Sequence, residues 1–387
     1  MKSSRYVLLT ASVVLVFAML GSGMAVRVGA EDGSYRETVQ FAEIMSTILE
    51  YYVDPVEADA LLEGAYEGML SGLDPNGAYL TPDEVGDWLD DRKLEAGPGL
   101  SVLKVGRTVQ IVAIEPDSAT ADAGVRIGDR LRRLDGRLTR DLSLPQLRRR
   151  LRGEIGTEVE IELLRPGGEF ETLNLSLVRG TARGRGYSVE VRQGIAVLRI
   201  HSPERIDPEA LVEELNDVRS RGIAQLLLDL RNASEAGPRE VAGLAACFGA
   251  DSALHLRDTK GRVTDSVQPE VGCRAWDGEI AVLINGATAG AAEALTQWVR
   301  ANEIQVFGQS SYGLGAEPTL YQLENGAGLL VSTARWETPD GETWNETGID
   351  PDTEVEGEGK DYAEIQQDQL KQVLDRLEEQ ARQENAA

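Results

Sequence analysis

The spacing of hydrophobic and polar residues changes between the first two segments of the chain. Between residues 35 and 70, apolar residues recur at helical spacing in TVQFAEIMSTILEYY and VEADALLEGAYEGMLSGL, which predicts a helical N-terminal region. From 97 to 180 the pattern changes to short alternating runs such as TVQIVAI and EVEIELLRP. Glycine turns and one helix, SLPQLRRRLRG, interrupt these runs. The second segment therefore predicts a small β-rich module.

Residues 186–358 alternate strands and helices. The apolar runs GIAVLRI, IAQLLLDLR and EIAVLIN predict buried strands, and DPEALVEELNDVRSRG and PREVAGLAACF predict helices between them. This order is typical of an α/β fold whose helices cover a mostly parallel sheet. GAGLLVSTARWETPDGETW is expected to close the region as a hairpin.

The tail of the chain predicts an amphipathic helix over 360–387. One face of that helix carries four apolar residues, Leu370, Val373, Leu374 and Leu377.

The N-terminus has the pattern of an export signal. Lys2 and Arg5 precede an uncharged apolar run at 7–26, and small residues follow at 28–30. Because the run is about long enough to span a bilayer, a cleaved signal peptide and an uncleaved membrane anchor both stay open. Either way, we expect an exported protein on the periplasmic or extracellular side.

Composition narrows the function. With 39 Lys and Arg against 65 Asp and Glu, the net charge is -26, so nucleic acid is not expected as a partner. Cys247 and Cys273 are the only cysteines, and a disulfide or two unpaired thiols are equally open. Two separated cysteines and two histidines make no zinc pattern, and no metal or cofactor is expected.

The stretch INGATAGAAEAL at 284–295 follows a predicted strand and leads into a predicted helix. Many enzymes use a strand, a tight turn and a helix start to present a nucleophile beside backbone N–H donors. This turn contains neither serine nor cysteine.

The ordered segments resemble one enzyme family. From about residue 36 to 377, the chain is similar to the carboxy-terminal processing peptidases, also called tail-specific proteases. The segments that carry the resemblance are YYVDP, GPGLSV, AGVRIGDRLRRLDG, LRGEIGTEVEIELLR, LLLDLRNASEAG, VLINGATAGAAEAL, VFGQSSYGLGAEPT and STARWETPDGETWNETGIDPDTEV. These serine peptidases carry a PDZ domain between a helical region and an α/β catalytic core.

The resemblance implies five segments. They are a signal peptide or membrane anchor at 1–30, a helical region at 31–96, a PDZ-like domain at 97–180, a tail-specific-protease-like α/β core at 181–358 and a C-terminal helix at 359–387.

A PDZ domain implies binding of peptide or protein C-termini by strand addition. The resemblance places Gly99, Leu100 and Ser101 at the turn that holds the terminal carboxylate, where Pro98 removes one N–H donor. Candidate groove-lining residues are Leu144, Leu147 and Leu151, for which ordinary core packing is an equal alternative. The nearby arginines Arg148, Arg149, Arg150 and Arg152 are expected to form a solvated helix face, with attraction of acidic peptides as the alternative.

The family's activity rests on a serine activated by a lysine. In this chain the nucleophile's place falls on Gly290, the lysine's on Leu314 and a motif glutamine's on Pro318. Around the oxyanion region, Glu235 and Ala236 stand where the family has glycines, and Ala291 follows the nucleophile position. The fallback nucleophile is Thr288, with Ser310 and Ser311 nearby, while His201 is expected to be structural or exposed.

These substitutions predict a catalytically silent relative that binds peptide or protein C-termini. It would act as an adaptor, a regulator or a subunit partner of an active protease homologue, in a homo- or hetero-oligomer. The alternative is an active serine- or threonine-type endopeptidase with an unconventional nucleophile or a base from another subunit. A third possibility is a structural envelope protein whose groove is blocked.

Overall fold

The computed structural model describes residues 32–90, 96–167, 170–181, 185–269 and 274–384. The predicted signal or anchor at 1–30 lies outside these residues. Within the described ranges, no helix has the length and apolar character that a membrane crossing requires. Contacts divide the chain into two compact units, 1–65 and 66–387.

The predicted N-terminal helices are present. Helix α1 covers Asp32–Tyr51 and α2 covers Ala58–Ser71. A short strand, β1 (Ala78–Leu80), and helix α3 (Pro82–Leu89) follow. Thr81 caps α3 in a capping box with Glu84, and Pro82 occupies the first turn, where the missing N–H costs nothing.

The β-rich module is confirmed as an antiparallel sheet of the order β2-β3-β4-β6-β7, with β5 paired to β4. Its strands are β2 (Leu100–Val105), β3 (Thr108–Ile114), β4 (Arg130–Leu134), β5 (Arg137–Leu138), β6 (Glu158–Arg165) and β7 (Glu171–Val178). Its helices are α4 (Ala119–Asp122) and α5 (Leu144–Leu151), with a 3₁₀ turn at Thr139–Asp141. The capping box of Ser143 and Gln146 fixes the start of α5.

The α/β core is also confirmed. Its sheet has the order β17-β14-β13-β10-β9-β8, parallel throughout except for the antiparallel edge strand β8. The strands are β8 (Tyr187–Arg192), β9 (Ile195–Ile200), β10 (Gln225–Asp229), β13 (Glu279–Ile284), β14 (Gln305–Gly308) and β17 (Thr353–Glu354). The helices are α6 (Pro208–Ser220), α7 (Pro238–Cys247), α8 (Ala291–Arg300) and α9 (Tyr362–Glu384), with a 3₁₀ turn at Pro203–Arg205.

Both faces of this sheet are covered, which explains the continuous apolar runs of its strands. On one face, Leu226, Leu228 and Val282 pack with residues of α6, α7 and α8, including Leu215 and Trp298. On the other face, the four apolar residues predicted for the tail pack from α9 beneath the alternate strand residues. The tail prediction is therefore confirmed.

A third sheet was not predicted. It has the order β1-β16-β11-β12, with β15 also paired to β16. The additional strands are β11 (Leu254–Asp258), β12 (Val263–Val267), β15 (Ala316–Gln322) and β16 (Gly328–Glu337).

The prediction of a hairpin within GAGLLVSTARWETPDGETW is wrong. The strand β16 pairs with β15, which precedes it, and the chain after Glu337 does not return as a strand. The first part of β16 lies between β15 and β1, and its end pairs with β11. The partners of β16 are therefore β1, β11 and β15, and no strand formed by the residues directly after it.

Cys247 is disulfide-bonded. Cys273, the other cysteine of the sequence, lies outside the described residues.

Candidate functional site

The turn between β13 and α8 is the centre of the candidate site. It runs from Asn285, directly after the strand, to Gly290, directly before the helix. The carboxyl ends of parallel strands are where open α/β sheets place their ligands. Gly290 has φ 57° and ψ -115°, a conformation in which a residue with a Cβ atom is strained. The turn therefore keeps the sharp geometry expected for presenting a nucleophile.

Two buried polar side chains hold this turn. The amide oxygen of Asn285 accepts hydrogen bonds from the backbone N–H groups of Ala287 (3.1 Å) and Asn232 (3.2 Å). The Thr288 hydroxyl accepts the Asn285 N–H at 3.0 Å and donates to the Leu230 carbonyl oxygen at 3.0 Å. The fallback nucleophile is fully buried, and its hydroxyl is engaged in holding the turn.

The positions assigned to nucleophile and base lie together. A Cβ atom placed on Gly290 would lie 3.9 Å from Leu314 Cδ2 and 2.6 Å from the Ala236 carbonyl oxygen. Neither glycine nor leucine has a side-chain group that can attack a carbonyl or take a proton. Pro318 lies in β15, where the pairing with β16 shifts between Glu317 and Pro318.

The oxyanion region is closed by backbone hydrogen bonds. The Ala291 N–H, which follows the nucleophile position, donates to the Ala236 carbonyl oxygen at 3.2 Å. The Ala289 N–H donates to Ala233 in the same turn at 2.9 Å. Ala236 has φ 65°, a left-handed conformation that favours glycine, the residue that the resemblance implies at this position. An oxyanion hole needs donors free to point at the developing charge, and here the Ala291 donor is in use.

Glu293 connects this turn to the loop of the base position. Its carboxylate is fully buried and accepts the N–H groups of Gly290 (3.0 Å), Gly313 (2.6 Å) and Leu314 (2.8 Å). It also accepts the Ser311 hydroxyl at 2.5 Å. Burial raises the pKa of Glu293 to about 7, although the four hydrogen bonds favour the charged form.

Sequence reasoning missed this role of Glu293. The only local signal was its place in the first turn of α8, where a glutamate returns to cap the helix N-terminus. Its other partners come from residues 311–314, about twenty positions further along the chain.

The remaining candidate hydroxyls and the histidine are engaged elsewhere. Ser310 donates to Asp350 Oδ1 at 2.6 Å, and Ser311 also accepts the Ile349 N–H at 2.7 Å. His201 follows β9 and lies 3.2 Å from the Ser188 hydroxyl. Burial lowers the pKa of His201, but its contact does not connect it to the turn.

A buried ion pair and the tail helix support the strand end beside the turn. Arg231 binds both oxygens of Asp229 and donates to the Gln366 carbonyl oxygen in α9 at 2.6 Å. Burial opposes ionisation of Asp229, but the ion pairs with Arg231 and Arg199 overcome it and hold its pKa below the usual range. The Tyr362 hydroxyl of α9 also contacts Asn285 and Asn232.

The PDZ-like module packs directly on the candidate site. Ala289 belongs to its hydrophobic core, and Ala287, Tyr312 and Leu314 pack against that core. The Tyr312 hydroxyl donates to the backbone carbonyl oxygen of Lys104 in β2. Burial raises the pKa of Tyr312 to about 12, so this donor stays protonated at ordinary pH.

The predicted carboxylate turn lines a cavity of about 130 Å³. Gly99, Leu100 and Ser101 form one side of it, and Leu151 of α5 lines it as well. Leu144 and Leu147 are fully buried in the core of the module, because they lie on the face of α5 that packs on the sheet. These two leucines are therefore core residues of the module and do not line the groove.

The expected solvated arginine face of α5 is wrong for Arg148 and Arg150. Their side chains are only 22% and 26% exposed. Arg150 pairs with Glu84 of α3 at 2.5 Å, and Arg148 lies 3.6 Å from Glu235 in the oxyanion region. Segments distant in sequence cover this helix, which helical periodicity cannot show.

Within the described residues, no group of three or more His, Cys, Asp or Glu side chains is placed to hold a metal ion.

Two protein-family models match this chain. Residues 194–355 match peptidase family S41, and residues 110–165 match the PDZ domain. The first range contains the parallel strands and the turn at Gly290, and the second lies within the β-rich module.

Similar proteins match over most of the chain. The carboxy-terminal-processing protease of Bartonella bacilliformis is 27% identical over 363 residues, covering 91% of this chain and 82% of that protein. The carboxy-terminal processing protease CtpA of Bacillus subtilis is 24% identical over 368 residues, covering 93% and 78%. Among solved structures, the photosystem II D1 C-terminal processing protease has the same fold, with a TM-score of 0.60 at 23% identity over 81% of this chain and 86% of that one.

The fold and the site thus define a serine-peptidase scaffold of family S41 combined with a PDZ domain. Over most of its length the chain is similar to carboxy-terminal processing proteases.

Proposed function

We propose that this protein binds the C-termini of peptides and proteins without cleaving them. The observation that carries the proposal is Gly290 facing Leu314 while the Ala291 amide is bonded to Ala236. Acyl transfer by a serine peptidase needs a nucleophile, a base and a free donor for the oxyanion. In the described conformation, all three positions lack the group that the reaction requires.

The ligand class follows from the PDZ domain and from the relatives. Proteins similar to this chain are named for processing carboxy termini, and PDZ domains capture terminal carboxylates in a backbone turn. The turn at Gly99 is present with φ 86°, and it opens on a cavity. A bound C-terminus that is not cut stays associated, so the binding half of the family's activity is retained.

As a binding protein, the chain would act as an adaptor or regulator of an active protease homologue. The cationic and apolar N-terminus supports an exported location, where exported proteins would supply the C-termini. The oligomer in which it acts, with itself or with the active homologue, belongs to the same proposal.

The test combines binding with cleavage. Fluorescence polarisation with a library of C-terminal peptides should give saturable binding, and mass spectrometry of the same mixtures should find intact peptides. An active carboxy-terminal processing protease serves as the positive control for the cleavage conditions. Cleavage by the unmodified chain would overturn the silent half of the proposal, and the absence of saturable binding would overturn the other half.

A further inference from the structure

The cavity at the carboxylate turn is built by two domains. The PDZ domain contributes Gly99 and Ser101 from the turn and Arg148 from α5, while the α/β core contributes Arg205 and Glu235. The cavity also contains Pro98, which has no N–H to offer a ligand. Side-chain donors are therefore needed where the backbone turn lacks one.

Arg148 has donor capacity left. Its Nη2 donates to the Ser234 carbonyl oxygen at 2.5 Å. Its Nε is buried and has no hydrogen-bond partner among the described residues, and it lies 3.6 Å from Glu235 Oε1. That distance gives electrostatic attraction but no hydrogen bond. The Arg148–Glu235 pair is therefore a loose one between the two domains.

Arg205 approaches the same cavity from the α/β core. Its Nη2 donates to the Ser202 hydroxyl at 2.8 Å and pairs with Glu115 Oε1 at 3.1 Å. Its Nε and Nη1 are buried and have no hydrogen-bond partner in the described part of the chain. Buried donors without partners are costly, and three such donors on two arginines around one cavity are unusual for a site with no ligand.

We propose that Arg148 and Arg205 complete a two-domain site for the terminal carboxylate of a bound peptide. The inference rests on the proposed function and specifies the side chains of its binding site. A carboxylate accepts up to about four hydrogen bonds, and guanidinium groups bind it through parallel N–H donors. With Arg152, the cavity is lined by three arginines and two glutamates, so it favours an anion.

Glu235 is the resident counter-ion of this site. In the absence of peptide its carboxylate lies beside Arg148, which offsets part of the arginine's burial cost. In the proposed site an incoming terminal carboxylate competes with Glu235 for Arg148 and also accepts hydrogen bonds from the unpartnered donors of Arg205. The exchange breaks and forms only hydrogen bonds and ion pairs, and no covalent step is involved.

The test compares one peptide with a free C-terminal carboxylate and the same peptide with a C-terminal amide, titrated against the purified full chain. The unmodified chain should bind the free acid at least about tenfold more tightly than the amide, since hydrogen bonds to charged groups are the stronger ones. A third peptide, with an internal aspartate and a C-terminal amide, carries only a side-chain carboxylate. Its affinity shows whether the site requires a terminal carboxylate.

Three variants locate the effect. Arg148→Gln and Arg205→Gln should each weaken free-acid binding about tenfold and leave amide binding unchanged, whereas Glu235→Gln should tighten free-acid binding about threefold. Arg140→Gln is the matched control, because Arg140 is 56% exposed, pairs with Asp141 and lies outside the cavity. It should change neither affinity.

The outcomes separate the two proposals. Equal affinity for acid and amide by the unmodified chain, or arginine variants that behave like Arg140→Gln, would overturn the carboxylate site and leave peptide binding in place. Absence of binding to any of the peptides would overturn the proposed function as well. The acid–amide comparison needs no variant, so it decides the matter even where an arginine variant fails to fold.

Discussion

The Ala291 amide donates a hydrogen bond of 3.2 Å to the Ala236 carbonyl oxygen. Ala291 starts α8, and its N–H is one of the free donors that a helix N-terminus normally offers to a ligand. The bond occupies that donor and also brings the Ala236 oxygen to the place where a side chain on residue 290 would begin. The proposed lack of peptidase activity therefore rests on two turns together, the one at Gly290 and the one at Ala236.

The first prediction concerns restoration of activity. A Gly290→Ser plus Leu314→Lys variant should stay inactive, because the serine Cβ would lie 2.6 Å from the Ala236 oxygen. Adding Glu235→Gly and Ala236→Gly removes the repelling carboxylate and lets the second turn move. Cleavage of a C-terminal peptide, followed by mass spectrometry, should appear only in the fourfold variant.

The matched control keeps Gly290 and carries the other three changes, and it should be inactive. Cleavage by the twofold variant would contradict the role given to the second turn.

The second prediction concerns Thr288. Thr288→Ala should lower the free energy of unfolding by about 1–3 kcal/mol, since it leaves the buried Asn285 N–H without its partner and removes one of the two hydrogen bonds to the Leu230 carbonyl oxygen. Urea unfolding measures the change. Thr288→Ser retains the hydroxyl and should lose less stability than the alanine variant. A Thr288→Ala protein as stable as its parent, with a cleavage activity of the parent abolished, would instead indicate a catalytic hydroxyl.

The third prediction concerns pH. The pKa of Glu293 rises from 4.5 to about 7 on folding, so the folded protein holds this proton more tightly than the unfolded chain. The stability that this gives is complete below about pH 4.5 and is lost as pH rises through about 7. At roughly 1.4 kcal/mol per pKa unit, the total loss is on the order of 3 kcal/mol.

The contribution of Glu293 to the free energy of unfolding is measured by urea unfolding of the parent and of Glu293→Gln at pH 5 and pH 8. The stability difference, parent minus variant, should shrink from pH 5 to pH 8. His201, whose pKa burial lowers, is present in both proteins and cancels in the comparison. Parallel pH curves for the two proteins would refute a raised pKa for Glu293.

The fourth prediction concerns the edge of β2. Tyr312 donates to the Lys104 carbonyl oxygen, a main-chain acceptor of the strand beside which a PDZ ligand adds. Tyr312→Phe should free this acceptor and tighten binding of a six-residue C-terminal peptide about threefold, as one net hydrogen bond allows. Fluorescence polarisation gives the affinities. Tyr321→Phe, at a side chain that is 50% exposed, is the control and should have no effect. Unchanged or weaker binding by Tyr312→Phe would count against competition at this strand.

Much of the fold was predictable because its determinants are local. The apolar strand at β10 and the amphipathic α9 follow from period and composition over ten to twenty residues. The capping residues Ser143 and Asp207 mark helix starts within three positions of their partners. The third sheet escaped prediction because the alternation in β16 shows that it is a strand but does not identify β1, β11 and β15 as its neighbours.

The candidate site was predictable only in part. The resemblance placed Gly290 and Leu314 at the chemical positions, and the structure brings these positions into contact. The roles of Glu293, Tyr312 and Arg148 depend on partners between 18 and 208 residues away, which periodicity does not encode.

The sequence by itself indicated the helices and the apolar strands of the parallel sheet, and the resemblance assigned Gly290 and Leu314 to the positions of the family's serine and lysine. Those features depend on residue type and on spacing along the chain. Only the tertiary structure decided that the Ala291 donor is occupied, that a buried carboxylate joins two loops and that two arginines from different domains line one cavity. Burial and hydrogen bonding set the chemistry of these groups, and both arise from segments that only folding brings together.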